Sequence, residues 1–119
     1  MIIHADKLPP TLTSKRDVLI ECLRAFERVL PIETVILFGS QSRGTPHADS
    51  DVDLCIVVRA FTSQREAGHA LRRAISDIRG KPPLSLIPIT SDRLAEKQQR
   101  RDPFFETVLQ EGIVLASHN

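Results

Sequence analysis

Apolar residues recur at Val18, Leu19, Cys22, Leu23, Phe26 and Val29, at spacings of three and four. Those spacings place them on one stripe of an amphipathic helix. Thr13 or Ser14 can cap its start, Asp17 falls in the favourable first turn, and Pro31 closes it. Residues 1–13 read as an irregular lead-in, because Pro9 and Pro10 oppose regular structure. The period then changes. Residues 34–38, TVILF, form a short β-rich run stopped by Gly39, which reads as a buried strand. Residues 39–50 are rich in Gly, Ser, Thr, Pro and Asp and read as a loop, with room for one helical turn after Ser40. Residues 51–58, DVDLCIVV, begin polar and end apolar. That order predicts a strand running from a solvent-facing site into the core.

Residues 63–79 set Ala67, Ala70, Leu71, Ala74, Ile75 and Ile78 against a charged face, so a second amphipathic helix is expected, closed by Gly80. LSLIPIT, residues 84–90, reads as a third strand whose Pro88 confines it to an edge or an irregularity. Thr90 or Ser91 then caps a helix through Leu94 and Lys97, and another runs from Pro103 to Glu111. GIVLA, residues 112–116, suits a short closing strand. Strands alternating with helices imply an α+β fold: a mixed β-sheet with helices packed against it.

The length of 119 residues fits a single domain, taken as 1–119. A formal net charge of +1 supplies no overall field directed at nucleic acid or a membrane surface. No apolar run approaches the ~20 residues that span a bilayer. The opening MIIHADKLPP lacks the apolar core of a secretory signal, so a cytoplasmic protein is expected. Cys22 and Cys55 sit in apolar segments and read as buried free thiols rather than a disulfide. Five Phe with no Trp or Tyr is a poor supply of stacking platforms, so nucleic acid is not an expected partner.

The candidate chemistry lies in GSQSRGTPHADSDVD, residues 39–53. Asp51 and Asp53 are two apart on a strand, so both side chains leave one face, with Cα atoms about 6.5 Å apart. Like charges held this way call for a cation between them. Mg²⁺, a hard ion that prefers oxygen ligands and phosphates, fits. Gly39 has no Cβ and lets backbone approach a ligand closely. Ser40 adds a hydroxyl at the start of a helical turn, where amides suit a phosphate, and Arg43 adds positive charge. An anion cradle facing a metal-binding pair suggests a nucleoside triphosphate bound with its Mg²⁺.

These residues, Phe38, Gly39, Ser40, Arg43, Gly44, Ser50, Asp51, Asp53 and Leu54, resemble the signature of the nucleotidyltransferase superfamily that includes DNA polymerase beta. The short chain is similar to its minimal nucleotidyltransferases. The resemblance implies a nucleotidyltransferase fold and transfer of a nucleoside monophosphate, AMP from ATP, to a hydroxyl with release of pyrophosphate. It implies that Gly39, Ser40 and Arg43 hold the triphosphate, and that Asp51 and Asp53 are the catalytic, Mg²⁺-binding carboxylates. It also implies the role of antitoxin to a helical HEPN-domain partner toxin, and similarity to some such antitoxins suggests adenylylation of that toxin. Homo- and hetero-oligomers are both compatible with this reading.

The chain departs from that family at one position. Active members carry a third carboxylate on the strand after the second helix, where this sequence has Ser85. Serine is uncharged and is no base near neutral pH without an activating partner. Asp92, Asp49 and His47 are conceivable substitutes but read as surface residues. His4, His69 and His118 have no neighbouring ligand-type cluster. Arg65, Arg72, Arg73, Arg79 and Lys81 form a basic strip that reads first as a solvated helix face. Two alternatives to the enzyme therefore stand: a silent module that neutralises its toxin by binding, and a nucleic-acid-binding domain using that strip.

Overall fold

A computed structural model of the chain describes residues 1–44 and 51–118. Its elements are β1 (Ile2–Ile3), α1 (Arg16–Val29), β2 (Ile32–Phe38), the short α2 (Ser40–Arg43), β3 (Val52–Val58), α3 (Gln64–Ala74), β4 (Leu84–Thr90), α4 (Ser91–Gln99), α5 (Pro103–Glu111) and β5 (Ile113–Ser117). One mixed sheet has the order β1-β5-β2-β3-β4. Among the described strands only β3 and β4 pair in parallel, and α3 carries the chain between them, as a crossover must. The fold is the expected α+β arrangement of helices on a mixed sheet. Among the described residues no helix is long and apolar enough to cross a membrane.

The sheet is covered on both faces, which explains the unbroken apolar run of β3. Its alternate residues Val52, Leu54, Ile56 and Val58 join Val35 and Leu37 under α1 and α3, against Leu19, Leu23, Phe26 and Leu71. The intervening Cys55 and Val57 join Ile36 and Ile89 under α5, against Phe105 and Val108. Each fully buried Leu, Val or Phe adds about 1.5–3 kcal/mol, so both layers hold the sheet firmly. The second layer is smaller. It leaves one end of its sheet face uncovered, and Asp53 belongs to that face by alternation with Cys55 and Val57.

Several local expectations change. The lead-in is partly regular: Ile2–Ile3 pairs with Ser117 and Ala116 of β5, and two 3-10 turns follow, Ala5–Lys7 and Pro10–Lys15. Neither Thr13 nor Ser14 caps α1; both lie inside the second turn, which passes directly into the helix, and Lys15 stands at the cap position without a side-chain bond. α3 ends at Ala74 rather than near Gly80, although Ile75 and Ile78 stay buried. Other expectations hold. Pro88 lies in β4, an edge strand. Thr90 accepts a bond from Arg93 N and caps α4, and Asp102 caps α5 with Pro103 in its first turn. Cys22 and Cys55 are buried free thiols in different layers. Burial pushes both thiols up, Cys55 to about 12, so neither is a nucleophile in the folded protein.

Candidate active site

The site is built where β2 ends. After Phe38 the chain enters Gly39 at φ 77° and ψ −158°, a region open essentially to glycine alone. That conformation turns the chain from strand into α2 without a spacer. Ser42 N and Arg43 N bond back to Gly39 O at 3.1 and 3.3 Å, and Ser42 Oγ donates to the same oxygen at 2.8 Å. Gly44, at φ 72° and ψ 20°, stops the turn in the left-handed region. Gln41 anchors it: only 6% exposed, its Oε1 accepts from Thr11 Oγ1 at 3.0 Å. The amides of Ser40 and Gln41 come before the first intrahelical donors, so they are the ones available to an anion.

β3 brings the carboxylates to this turn. Asp53 lies opposite Phe38 on β2 and opposite Ser85 on β4. All three therefore share one face. Asp51 is exposed and flanks the start of β3, while Asp53 is half-buried. A Cβ added at Gly39 would collide with Asp53 Oδ2. The cradle and the carboxylate are thus in van der Waals reach only because residue 39 is glycine. Burial raises the Asp53 carboxyl above its usual range, and the neighbouring Asp51 charge raises it further; Arg43 opposes both. Arg43 Nη1 stands 3.9 Å from Glu111 Oε2 at the end of α5, both side chains about half exposed.

These observations test the fit of a divalent cation. Two oxygen-donor carboxylates repel each other at a partly desolvated position, which a hard cation relieves. Among the described residues no group of three or more His, Cys, Asp or Glu could hold an ion by itself. The donor set therefore suits Mg²⁺ that brings ligands with it, as Mg²⁺ commonly does when it is held by one or two carboxylates and substrate phosphates.

The β3–β4 register puts Ser85 directly beside Asp53. Asp92 does not compensate. It lies in the first turn of α4, beyond the far end of β4, and the strand from Ser85 to Thr90 alone is about 17 Å long. His47 and Asp49 lie outside the described residues. His4 Nε2 meets Ser117 Oγ at 2.9 Å on the distant β1–β5 edge. Arg65, Arg72, Arg73 and Arg79 are exposed, and Lys81 donates to Ile78 O, as a solvated face would have it.

Three contributions were not legible beforehand. Glu111 meets Arg43, Thr11 holds Gln41, and Phe104 packs edge-on against Phe38 with ring centroids 5.6 Å apart. All join residues distant in sequence, and none has a local signal.

Comparison with known proteins agrees with this geometry. No curated protein sequence matches the chain. Among solved structures, a candidate nucleotidyltransferase from Sulfolobus solfataricus superposes with a TM-score of 0.60 at 17% identity, covering 86% of this chain and 79% of that one. A toxin–antitoxin structure with AMP-PNP gives 0.53 at 21% identity, covering 87% and 73%. A mutant of the toxin–antitoxin MntA–HpeT gives 0.51 at 20% identity with the same coverage. At these identities the likeness concerns the fold. The sequence profile of the nucleotidyltransferase domain matches residues 19–111, which include Gly39, Ser40, Asp51, Asp53 and Ser85. With that match over most of its length, the chain belongs to the nucleotidyltransferase domain family.

Proposed function

We propose that the chain is a Mg²⁺-dependent nucleotidyltransferase that moves AMP from ATP to a hydroxyl of a partner protein, acting as the antitoxin of a toxin–antitoxin pair. The observation that carries this reading is the apposition of Gly39 and Asp53: a phosphate cradle touching a carboxylate. The toxin–antitoxin likeness of the fold supports the partner, and the family resemblance supports a HEPN-type helical protein in that place.

The amides at the start of α2 and the Ser40 hydroxyl hold the triphosphate, and Arg43 adds charge to it. Asp51 and Asp53 would hold Mg²⁺, which when bound neutralises the crowded phosphate and carboxylate oxygens. The acceptor oxygen then bonds to the α-phosphorus, the α–β phosphoanhydride bond breaks, and pyrophosphate leaves. The acceptor proton passes to solvent, because Ser85 is no base near neutral pH and does not take it.

Incubating the protein with α-labelled ATP, Mg²⁺ and the product of the neighbouring gene should label that product. Labelling that persists when Asp51 is changed to Asn would remove the proposed metal site. Ser85 favours a second reading, a silent module that neutralises its toxin by complex formation alone. The Ser85→Asp variant separates the two. Positioned proton transfer contributes roughly a hundredfold or more, so an active but weakened site should gain on the order of a hundredfold in labelling rate. Toxin neutralisation by Asp51→Asn in cells, with no labelling by Ser85→Asp, would establish the silent module instead.

A further inference from the structure

We propose that Phe104 is the stacking surface for the base of the donor nucleotide, an inference that rests on the nucleotide-binding reading above. Phe104 is the most solvent-exposed of the large apolar side chains after Ile2, level with Val29, at 45%. It is not loosely exposed. Its ring lies 5.6 Å from Phe38 at an interplanar angle of 86°, and 5.0 Å from Phe105 at 88°. Two edge-on aromatic contacts of this kind fix a ring's orientation. Nearly half of the residue's surface nevertheless stays open to solvent.

Its position gives that surface a use. Phe38 is the residue before Gly39 and lies directly opposite Asp53, so their side chains leave the same face about 5 Å apart at Cβ. Phe104 is the next side chain outward from Phe38. The same helix ends at Glu111, which meets Arg43 of the phosphate cradle. Thus α5 flanks the site along its length, with a charged group at the cradle end and a clamped aromatic ring at the other. A triphosphate held by α2 leaves its nucleoside to extend along this flank, which starts at Phe38, the residue before Gly39. A base has two apolar faces, and an aromatic ring receives one without reading its edge. Phe104 therefore adds affinity for any nucleoside triphosphate over bare triphosphate, with little choice among bases.

Calorimetric titration with Mg·ATP and with Mg·inorganic triphosphate tests this. Loss of one base-stacking contact corresponds to about tenfold in affinity. Phe104→Ala should bind ATP about tenfold more weakly and inorganic triphosphate as the wild type does. The chain has no Trp, so Phe104→Trp introduces a single indole. ATP should quench its emission and inorganic triphosphate should not. Equal ATP affinity of wild type and Phe104→Ala would overturn the stacking role. A parallel loss for both ligands would overturn it too, by showing that the ring only supports the fold of the site. Wild-type protein that binds neither ligand would overturn the nucleotide reading itself, and the role of Phe104 with it.

Discussion

Asp53→Asn is expected to cut the proposed nucleotidyl transfer on the order of a thousandfold and, in metal-free buffer, to stabilise the protein. The two effects share a cause. Asp53 is held half-buried beside Asp51, and its carboxyl is raised above the ordinary value of 3.8, by burial first and by Asp51 second, against the pull of Arg43. The sign follows from linkage. A carboxylate whose folded pKa is raised costs stability where it is ionised, and the cost disappears as pH falls through the folded pKa towards the unfolded one. Metal-free wild type should therefore gain from this group as pH falls through the raised folded pKa, and Asp53→Asn should lose that part of the gain. Asn keeps the shape that fits against Gly39 and removes the charge. Mg²⁺ with ATP reverses the ranking. A ligand at a hundred times its Kd adds about 2.7 kcal/mol to the state that binds it, and on the proposed reading the variant lacks one of its ligand groups. Charge stabilisation by a bound metal amounts to several kcal/mol, so transfer should fall on the order of a thousandfold. Urea unfolding over a pH series from neutral down to the ordinary carboxylate range, with and without Mg·ATP, reads the stability arm. A variant less stable than wild type without metal would show that the carboxylates are not in electrostatic conflict.

The sequence announces this site unusually well because its parts are local. The polar start of DVDLCIVV marks the end of β3 that leaves the core, since alternate residues Cys55 and Val57 are buried under α5 while Asp53 is not. Gly39 and the helical turn after it follow from a strand that stops at a glycine. Ser85 stands beside Asp53 because parallel pairing of β3 and β4 fixes the register. What escapes is long-range. A two-residue strand such as Ile2–Ile3 has no period of its own and exists only because the β5 edge receives it. Thr13 and Ser14 have the chemistry of caps, but a preceding 3-10 turn absorbs them. Phe104 and Glu111 read as surface positions of an amphipathic helix until that helix is laid across the end of β2. The same limit bears on catalysis. The two carboxylates are visible as a motif, whereas the consequence of serine at residue 85 needs the neighbouring strand.

Gly39→Ala should damage the site far more than Gly44→Ala, five residues on, and the comparison shows why. Both glycines have positive φ, 77° and 72°. Gly44 is in the left-handed helical region, with nothing among the described residues within 4 Å of an added Cβ. Alanine there bears only the conformational penalty, about 1 kcal/mol, and Asn, which tolerates that region, should bear less. Gly39 has ψ −158°, in the region essentially closed to residues with a Cβ, where the backbone term alone is about 1–3 kcal/mol. The new methyl also meets the Asp53 carboxylate head-on. Relief requires either Asp53 to turn away from the cradle or β2 and β3 to separate where Phe38 and Asp53 pair. Each route dismantles the phosphate–carboxylate apposition. Gly39→Ala should thus lose both Mg·ATP binding and transfer, along with roughly 2–4 kcal/mol of stability once overpacking is added to strain. Gly44→Ala should retain both activities at a cost near 1 kcal/mol. Chemical denaturation of the two variants, paired with Mg·ATP titration, compares them directly. Equal losses at the two positions would mean that positive φ, and not the contact with Asp53, explains the glycine at residue 39.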